Sequence, residues 1–232
     1  MLFLQDMPRL IQMLGEELSV LEVGSQVGGF LYASTCYGWK PIGVDIGKDM
    51  CAFAKSKGHN VIEGTIESAC FPDETFDAIF VWNCFEMLPD PTGTLKEIFR
   101  ILRPGGKLFI TIPNGDFIKV IERLLRFKSF DRLSENILKS LSYSILSGFP
   151  FQFGYTSKSI TKLLNNGEYK NININNVNYL PVSSKRQLQT YALLEKNKLI
   201  NTIYGLSQLI YKISLHKLIL GPWMEIICEK SR

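Results

Sequence analysis

The stretch LEVGSQVGG, residues 21–29, decides the fold of this chain. It continues a short apolar run that begins at residue 19 and stops at Gly24, as a buried parallel strand does where it enters a tight turn. Glycines permit the reversal and let backbone N–H groups approach a ligand, and the helix start that follows favours bound polar or anionic groups. Taken alone, the stretch also fits an ordinary strand-to-helix turn.

The glycine spacing argues against one class of nucleotide-binding protein. The dinucleotide fingerprint GxGxxG needs a glycine at the third position of the turn. This chain has Gln26 at that position, between Gly24 and Gly28. A nicotinamide-dependent oxidoreductase therefore becomes the less favoured interpretation.

A carboxylate ends the second apolar run of the chain, where residues 43–45 read GVD. Asp45 follows the glycine turn by about twenty residues, the spacing at which a strand-end acid meets the ribose hydroxyls of a bound cofactor. The alternative is an acid that caps the next helix, a role for which Asp49 is also available.

Apolar runs alternate with amphipathic stretches, which is typical of a parallel, doubly wound sheet. The predicted strands of the first half are residues 19–23, 41–45, 60–63, 76–82 and 107–113, with helices at 28–37, 48–57 and 91–102. Beyond them, the pattern predicts helices at 117–127, 133–146, 157–164 and about 185–220, an edge strand at 171–180 and a last strand at 223–230. Within RPGG, Pro104 and Gly105 suit the middle of a type II turn.

The composition indicates one globular domain. The 232 residues are 46% apolar and 21% charged, enough apolar surface to offset chain entropy without long disordered tracts. Five scattered cysteines without a CxxC pair indicate neither a disulfide framework nor a zinc site. The first residues lack a signal-peptide pattern, and no run approaches the ~18 apolar residues of a membrane span, so we expect a cytoplasmic protein.

The net charge of +4 arises from the second half of the chain, which is rich in lysine and arginine. Such an excess can attract an anionic substrate, nucleic acid or a lipid surface, or it can simply cover solvated helix faces. Because the basic residues form no compact cluster, we expect no nucleic-acid partner. Apolar residues at helical spacing in the late helix favour core packing or a homodimer, with weak membrane-surface contact as the alternative.

With these segments placed in order, the chain resembles the type 11, UbiE/UbiG-like branch of the methyltransferases that use S-adenosylmethionine (SAM). The resemblance covers residues 20 to about 170. It rests on the order and spacing of several segments, since no single segment is specific by itself. The matching segments are LEVGSQVG, GVD, EGTIESACFPDETFDAIF, FEMLPDP, EIFRILRPGGKLFITIPN and YTSKSITKLLNNGEY.

The resemblance implies a Rossmann-like, seven-stranded α/β sheet, mostly parallel with an antiparallel last strand. It implies a single SAM-methyltransferase domain over residues 1–232, with helical substrate-side insertions at 115–160 and 183–222. It further implies roles for individual residues: Glu22 near the methionine amine of SAM, backbone contacts from Gly24, Ser25, Gln26 and Gly28, Asp45 on the ribose hydroxyls with Ile46 beside it, Thr65 and Ile66 bordering the adenine, and Asn83 beside the sulfonium. The FEMLPDP segment would form part of the wall that faces the acceptor.

Three residues depart from the family pattern. Gln26 replaces a glycine, and a left-handed backbone there would cost ~1–2 kcal/mol. Thr65 stands where an aspartate often meets the adenine amine, and Met87 where a histidine is frequent. These departures leave open a catalytically weak or inactive partner or scaffold protein with the same fold.

Methyl transfer from a sulfonium is a one-step displacement that needs alignment and no metal. If the acceptor is a hydroxyl, a base must take its proton. The sequence identifies no catalytic base: Glu86 is a candidate, although a helix-cap or wall role fits it as well, and His59 and His216 are expected to lie away from the site. The reaction is expected to be O- or C-methylation of a small molecule that the sequence does not specify.

Overall fold

A computed structural model describes residues 2–125, 152–177, 205–206, 209–210, 212–214 and 221–231. The strands in this part of the chain are β1 (Ser19–Val23), β2 (Lys40–Asp45), β3 (Val61–Glu63), β4 (Phe76–Trp82), β5 (Leu102–Pro113), β6 (Tyr169–Val177) and β7 (Trp223–Lys230). The longer helices are α1 (Leu2–Leu14), α2 (Gly29–Cys36), α3 (Lys48–Ser56), α4 (Pro91–Ile101), α5 (Gly115–Leu125) and α6 (Ser157–Asn166), with a 3-10 turn at Phe85–Met87.

The seven strands form one sheet in the order β3-β2-β1-β4-β5-β7-β6. The first five strands pair in parallel, and β7 runs antiparallel to both β5 and β6. The predicted doubly wound sheet with an antiparallel last strand is therefore confirmed. The strand order reverses direction beside β1, and the carboxyl ends of β1, β2 and β4 meet there, where open α/β sheets bind ligands.

Apolar side chains cover both faces of the central strands, as parallel strands require. On one face, Phe80 of β4 packs between Phe30 of α2 and Phe109 of β5, with ring centroids 4.6 and 4.8 Å apart. On the other face, Ile79 and Val81 belong to a separate core cluster that includes residues of α4 and α6. These two layers fix the strand ends that form the site.

Strand β5 begins earlier than the sequence predicts. Leu102, expected at the end of a helix, pairs with Phe76 of β4, and the pairing resumes at Ala78 with Lys107 after a register shift. Between these pairs, Gly105 has φ +76°, the backbone conformation that the predicted turn requires. The strand therefore starts before the turn, because the partner strand is long enough to pair on both sides of it.

Helix α1 was not predicted, and it packs across the α2 face of the sheet. Its Met7 and Leu10 side chains are fully buried in the core cluster on that face. Arg9 donates two hydrogen bonds, of 2.8 and 2.7 Å, to the carboxylate of Glu225 on β7, a side chain that is 1% exposed. This ion pair links the first helix to the last strand.

Several expectations concern residues that the structure describes only in part. Strand β6 lies at the sheet edge as predicted, but residues 178–180 of that prediction lie outside the described residues, as do the helix at 133–146 and most of the helix at 185–220. The proposed insertions and domain limits therefore stay predictions. Leu206, Leu209, Ile210 and Ile213 are exposed. Among the described residues, no helix is both long enough and apolar enough to cross a bilayer.

Candidate functional site

The glycine turn after β1 and the acid that ends β2 meet at one rim of the sheet. The backbone N–H of Gln26 donates to Oδ2 of Asp45 over 2.7 Å, and the N–H of Gly47 donates to Oδ1 over 2.7 Å. The N–H groups of Gly24 and Ser25 both donate to the carbonyl of Val44. Asp45 thus holds the turn in place and also accepts the N–H of Gly47, the N-cap residue of α3. Its contact with a ribose stays a prediction.

Gln26 adopts the left-handed conformation expected where relatives have glycine. Its φ is +47°, between +75° at Gly24 and +81° at Gly28. A left-handed backbone costs a non-glycine residue ~1–2 kcal/mol. The charge-assisted hydrogen bond from its N–H to Asp45 offsets part of that cost, because such bonds contribute ~1.5–3 kcal/mol.

Glu22 supplies a buried carboxyl group that lacks a hydrogen-bond partner at Oε2. Its side chain is on β1, one residue before the turn, and the residue is 3% exposed. Burial, and then the charge of Asp45, raise the pKa of Glu22 well above its usual value. A buried acid without a partner is costly, and a positively charged or hydrogen-bonding ligand group at this position would remove the cost.

At the end of β4, Asn83 and Cys84 complete the crevice. Asn83 has φ +59°, and its buried Oδ1 accepts no hydrogen bond. The thiol of Cys84 donates to the carbonyl of Val23 over 3.2 Å, and a Cβ built on Gly24 would lie only 2.8 Å from its sulfur. Cys84 therefore covers the glycine turn. Sequence reasoning missed this residue, since only its position directly after Asn83 signals it.

The Cys84 thiol lies in a buried and acidic environment. Burial raises its pKa well above the usual value, and the charges of Glu86, Glu22 and Asp45 raise it further. Glu86 follows Cys84 by two residues in the 3-10 turn, which places it at the same end of the sheet as the glycine turn that Cys84 covers.

Glu86 lies in the 3-10 turn and is 4% exposed, with no hydrogen-bond partner at Oε2. Burial raises its pKa to about 7, although the backbone hydrogen bonding lowers it in part. It does not cap the next helix, because the side chain of Asp90 accepts the N–H of Gly93 and caps α4. Its carboxyl group is buried with Oε2 unpaired, and its role in the wall that faces the acceptor stays a prediction.

The residues expected at the adenine differ in exposure. Ile46, next to Asp45, is 78% exposed, whereas Ile66 is 2% exposed and packs in the core. Thr65 forms a local turn with Ser68, in which its N–H donates to the serine hydroxyl over 2.9 Å. The side chain of Ile46 is therefore the apolar surface at this rim, and Thr65 contributes a hydroxyl that is already used locally.

His59 lies nearer the glycine turn than expected. A Cβ built on Gly28 would lie 2.7 Å from the imidazole Cδ2, and the ring also packs at 6.3 Å from Tyr32 of α2. The imidazole thus fills the space beneath the start of α2, and Gly28 is needed to admit it. His216 lies outside the described residues.

Several known proteins with similar sequences are methyltransferases, and others have no assigned activity. The methyltransferase domain family matches residues 21–110. An uncharacterized protein of Methanocaldococcus jannaschii is 35% identical over 41% of this chain and 45% of its own length. A ubiquinone biosynthesis O-methyltransferase of Pseudomonas fluorescens is 28% identical over 69% of this chain and 75% of its own length. The chain spans less than half the length of several curated relatives, such as phosphoethanolamine N-methyltransferase 2 of Caenorhabditis elegans, at 29%.

Solved structures share the fold at low sequence identity. A SAM-dependent methyltransferase from Archaeoglobus fulgidus aligns with 99% of this chain and 93% of its own, with a TM-score of 0.59 and 20% identity. Phosphoethanolamine N-methyltransferase 2 of Haemonchus contortus, solved with SAM, aligns with 98% of this chain and 52% of its own, with a TM-score of 0.60 and 17% identity. The glycine turn, Asp45 and Glu86 all lie within residues 21–110, the stretch that is similar to the methyltransferase domain family.

Proposed function

We propose that this protein binds SAM at the carboxyl ends of β1, β2 and β4 and transfers its methyl group to a small molecule by O- or C-methylation. The observation that carries the proposal is the convergence of the glycine turn with Asp45 and the unpaired carboxyl group of Glu22. SAM supplies an electrophilic methyl group on a sulfonium, and the protein supplies binding and alignment.

The described residues fit an adenosyl cofactor with an amino-acid tail. Asp45 has acceptor capacity beyond its two backbone hydrogen bonds and would accept the ribose hydroxyls. Glu22 would pair with the methionine ammonium, and the unpaired Oδ1 of Asn83 would face the sulfonium end. The exposed side chain of Ile46 would lie against the adenine, which Thr65 and Ile66 would border. Backbone groups of the glycine turn would contact the cofactor closely, at Gly24, Ser25, Gln26 and Gly28.

Calorimetry with purified protein tests this proposal directly. SAM and its demethylated product S-adenosylhomocysteine (SAH) should bind the wild type, and Asp45→Ala should weaken SAH binding by about tenfold to a hundredfold, since hydrogen bonds to a charged group contribute ~1.5–3 kcal/mol. Asp49→Ala is the matched control: it removes a carboxylate from the first turn of α3, four residues further on, and should bind SAH as the wild type does.

Binding of NAD with no response to SAM or SAH would contradict the proposal and favour the oxidoreductase interpretation. Gln26 weighs against that outcome, because a side chain stands where a dinucleotide fingerprint needs glycine.

A second candidate is a catalytically weak or inactive partner protein with the methyltransferase fold. The observation that favours it is Gln26, which holds a left-handed backbone at the centre of the proposed cofactor turn. Thr65 and Met87, in place of an aspartate and a histidine, point the same way. A partner recovered in pull-downs, together with no SAM or SAH binding by calorimetry, would support this candidate instead.

A further inference from the structure

Four large apolar side chains near the end of the chain are exposed to solvent. The described residues between 205 and 213 are helical, and these four lie three or four positions apart, which puts them on one face of the helix. They form the 206–213 face and are between 37% and 73% exposed, at Leu206, Leu209, Ile210 and Ile213. Side chains with this exposure are not packed in the core, and a contiguous row of them is typical of a surface that binds a partner.

The sequence around the 206–213 face is basic. Residues 196–220 contain four lysines and neither aspartate nor glutamate. One of these lysines, Lys212, belongs to the described helix and is exposed directly before Ile213. Helices that lie in the surface of a membrane combine the same two features, because their apolar face enters the acyl boundary while their lysines meet anionic headgroups. The charge of the segment therefore complements a negatively charged lipid surface.

The charge distribution favours such a surface over a second copy of the chain. A two-fold dimer uses the same patch twice, so it would bring the basic segments of both copies together, and like charges repel. Residues 117–232 hold 17 Lys and Arg against 7 Asp and Glu, a net charge of +10, whereas residues 1–116 hold 9 against 15, a net charge of −6. An anionic surface therefore attracts the half of the chain that carries the face and repels the other half.

The chain returns from this helix to the rim of the sheet that carries the proposed cofactor crevice. Directly after β5, the N–H of Asn114 donates to the carbonyl of Pro222 over 2.9 Å, and its Nδ2 donates to the carbonyl of Gly221 over 2.8 Å. A Cβ on Gly221 would collide with the side chain of Asn176, so glycine is required at this point. Gly221 follows Ile213 by eight residues, which span at most ~29 Å. Contact of the face with a membrane would therefore hold this rim close to the lipid.

We propose that the 206–213 face and the lysines around it bind the surface of a bilayer that contains anionic lipids. The apolar side chains enter the boundary between headgroups and acyl chains, and the lysines, Lys212 among them, interact with the lipid phosphates. The contact is reversible, because a face of about two helical turns buries little apolar surface. This inference is independent of the methyltransferase function, since the contact needs neither SAM nor an acceptor.

Co-sedimentation of the full chain with lipid vesicles tests the proposal. The wild type should bind vesicles made of equal parts of phosphatidylcholine and phosphatidylglycerol at least about tenfold more tightly than vesicles of phosphatidylcholine alone, because each lysine near an anionic surface contributes about a factor of five. This preference should shrink in ~1 M salt, where the Debye length falls to ~3 Å.

Two variants separate the apolar and the electrostatic contributions. Ile213→Asp puts a carboxylate on the most exposed of the four residues and should weaken binding to the anionic vesicles at least about tenfold, through lost apolar contact and charge repulsion. Lys212→Gln should weaken this binding about fivefold and leave binding to phosphatidylcholine vesicles unchanged. The matched control is Phe53→Asp, which makes the same kind of change at a 49% exposed apolar residue of α3 and should bind as the wild type does.

Absence of binding to the anionic vesicles, equal affinity for the two kinds of vesicle, or wild-type binding by Ile213→Asp would each overturn the proposal. A loss in Phe53→Asp as large as that in Ile213→Asp would do the same. In analytical ultracentrifugation, a stable dimer that Ile213→Asp dissociates, found in place of vesicle binding, would assign the face to a second copy. Thermal unfolding checks that each variant is folded, and Lys212→Gln serves if Ile213→Asp is not. SAH binding without vesicle binding contradicts only the membrane contact, and vesicle binding without SAH binding contradicts only the methyltransferase function.

Discussion

Replacing Glu86 with glutamine should change how the stability of this protein depends on pH. The folded protein raises the pKa of this carboxyl group from its usual 4.5 to about 7, chiefly by burial. A group with a raised pKa binds more protons in the folded state, so stability falls as pH rises between the unfolded and the folded pKa. The stabilising contribution is fully present below pH 4.5 and is lost by about pH 7.

The size of the effect follows from the difference between the pKa of Glu86 in the unfolded and in the folded protein. At ~1.36 kcal/mol for each pKa unit, the shift to about 7 corresponds to ~3 kcal/mol of folding free energy. Glutamine has nearly the same shape and does not ionise. The free energy of unfolding of the wild type, minus that of Glu86→Gln, should therefore decrease by ~3 kcal/mol from pH 4.5 to pH 7.5. Glu22 titrates in both proteins, so its contribution cancels in the difference.

Equilibrium unfolding in urea at pH 4.5, 5.5, 6.5 and 7.5 measures this difference, with the buried Trp39, Trp82 and Trp223 as fluorescent probes. Glu16→Gln, which removes an exposed carboxylate, is the control for the loss of one charge. A difference between wild type and Glu86→Gln that stays constant over this pH range would refute the assignment of Glu86 as a buried, unpaired acid.

Three further substitutions test the site and its support. Gln26→Gly should stabilise the protein by ~0.5–1 kcal/mol in urea unfolding, because relief of the left-handed backbone outweighs the added flexibility of the unfolded chain; a loss of stability would contradict this. Gly24→Ala should lower SAH affinity at least about tenfold in calorimetry, since its Cβ would meet the Cys84 sulfur. Gly38→Ala is the control: Gly38 has φ +83° with open space around it, so this variant should lose only ~1 kcal/mol of stability and no SAH affinity. Arg9→Ala should cost ~3 kcal/mol in urea unfolding by leaving the carboxylate of Glu225 buried, and a cost under ~1 kcal/mol would show that this ion pair does not anchor α1.

Local patterns were sufficient to predict the central sheet. The apolar runs at β1, β4 and β7 have the predicted limits, because a buried strand needs a continuous apolar stretch that stops where the chain turns. Asp45 could be identified for a similar reason, since the acid is at the end of such a run and the glycine turn at the end of another. The carboxyl ends of parallel strands lie at the same rim of a sheet. The glycine turn and Asp45 could therefore be placed together from the local pattern of each strand alone.

The limits of the sequence are clearest where contacts join distant parts of the chain. Helix α1 was missed because its role depends on Arg9 reaching Glu225, 216 positions away. Cys84 was missed because nothing in its neighbours shows that it will cover Gly24.

The sequence by itself determined the order of the seven strands and of the described helices after α1, the glycine turn and the strand-end acid, because these follow from short-range periodicity and from the few residues that tolerate a tight turn. Only the tertiary structure decided which side chains are buried without partners. The unpaired carboxyl groups of Glu22 and Glu86 and the hydroxyl of Tyr155 come from three separate elements, and their desolvation depends on how those elements pack together.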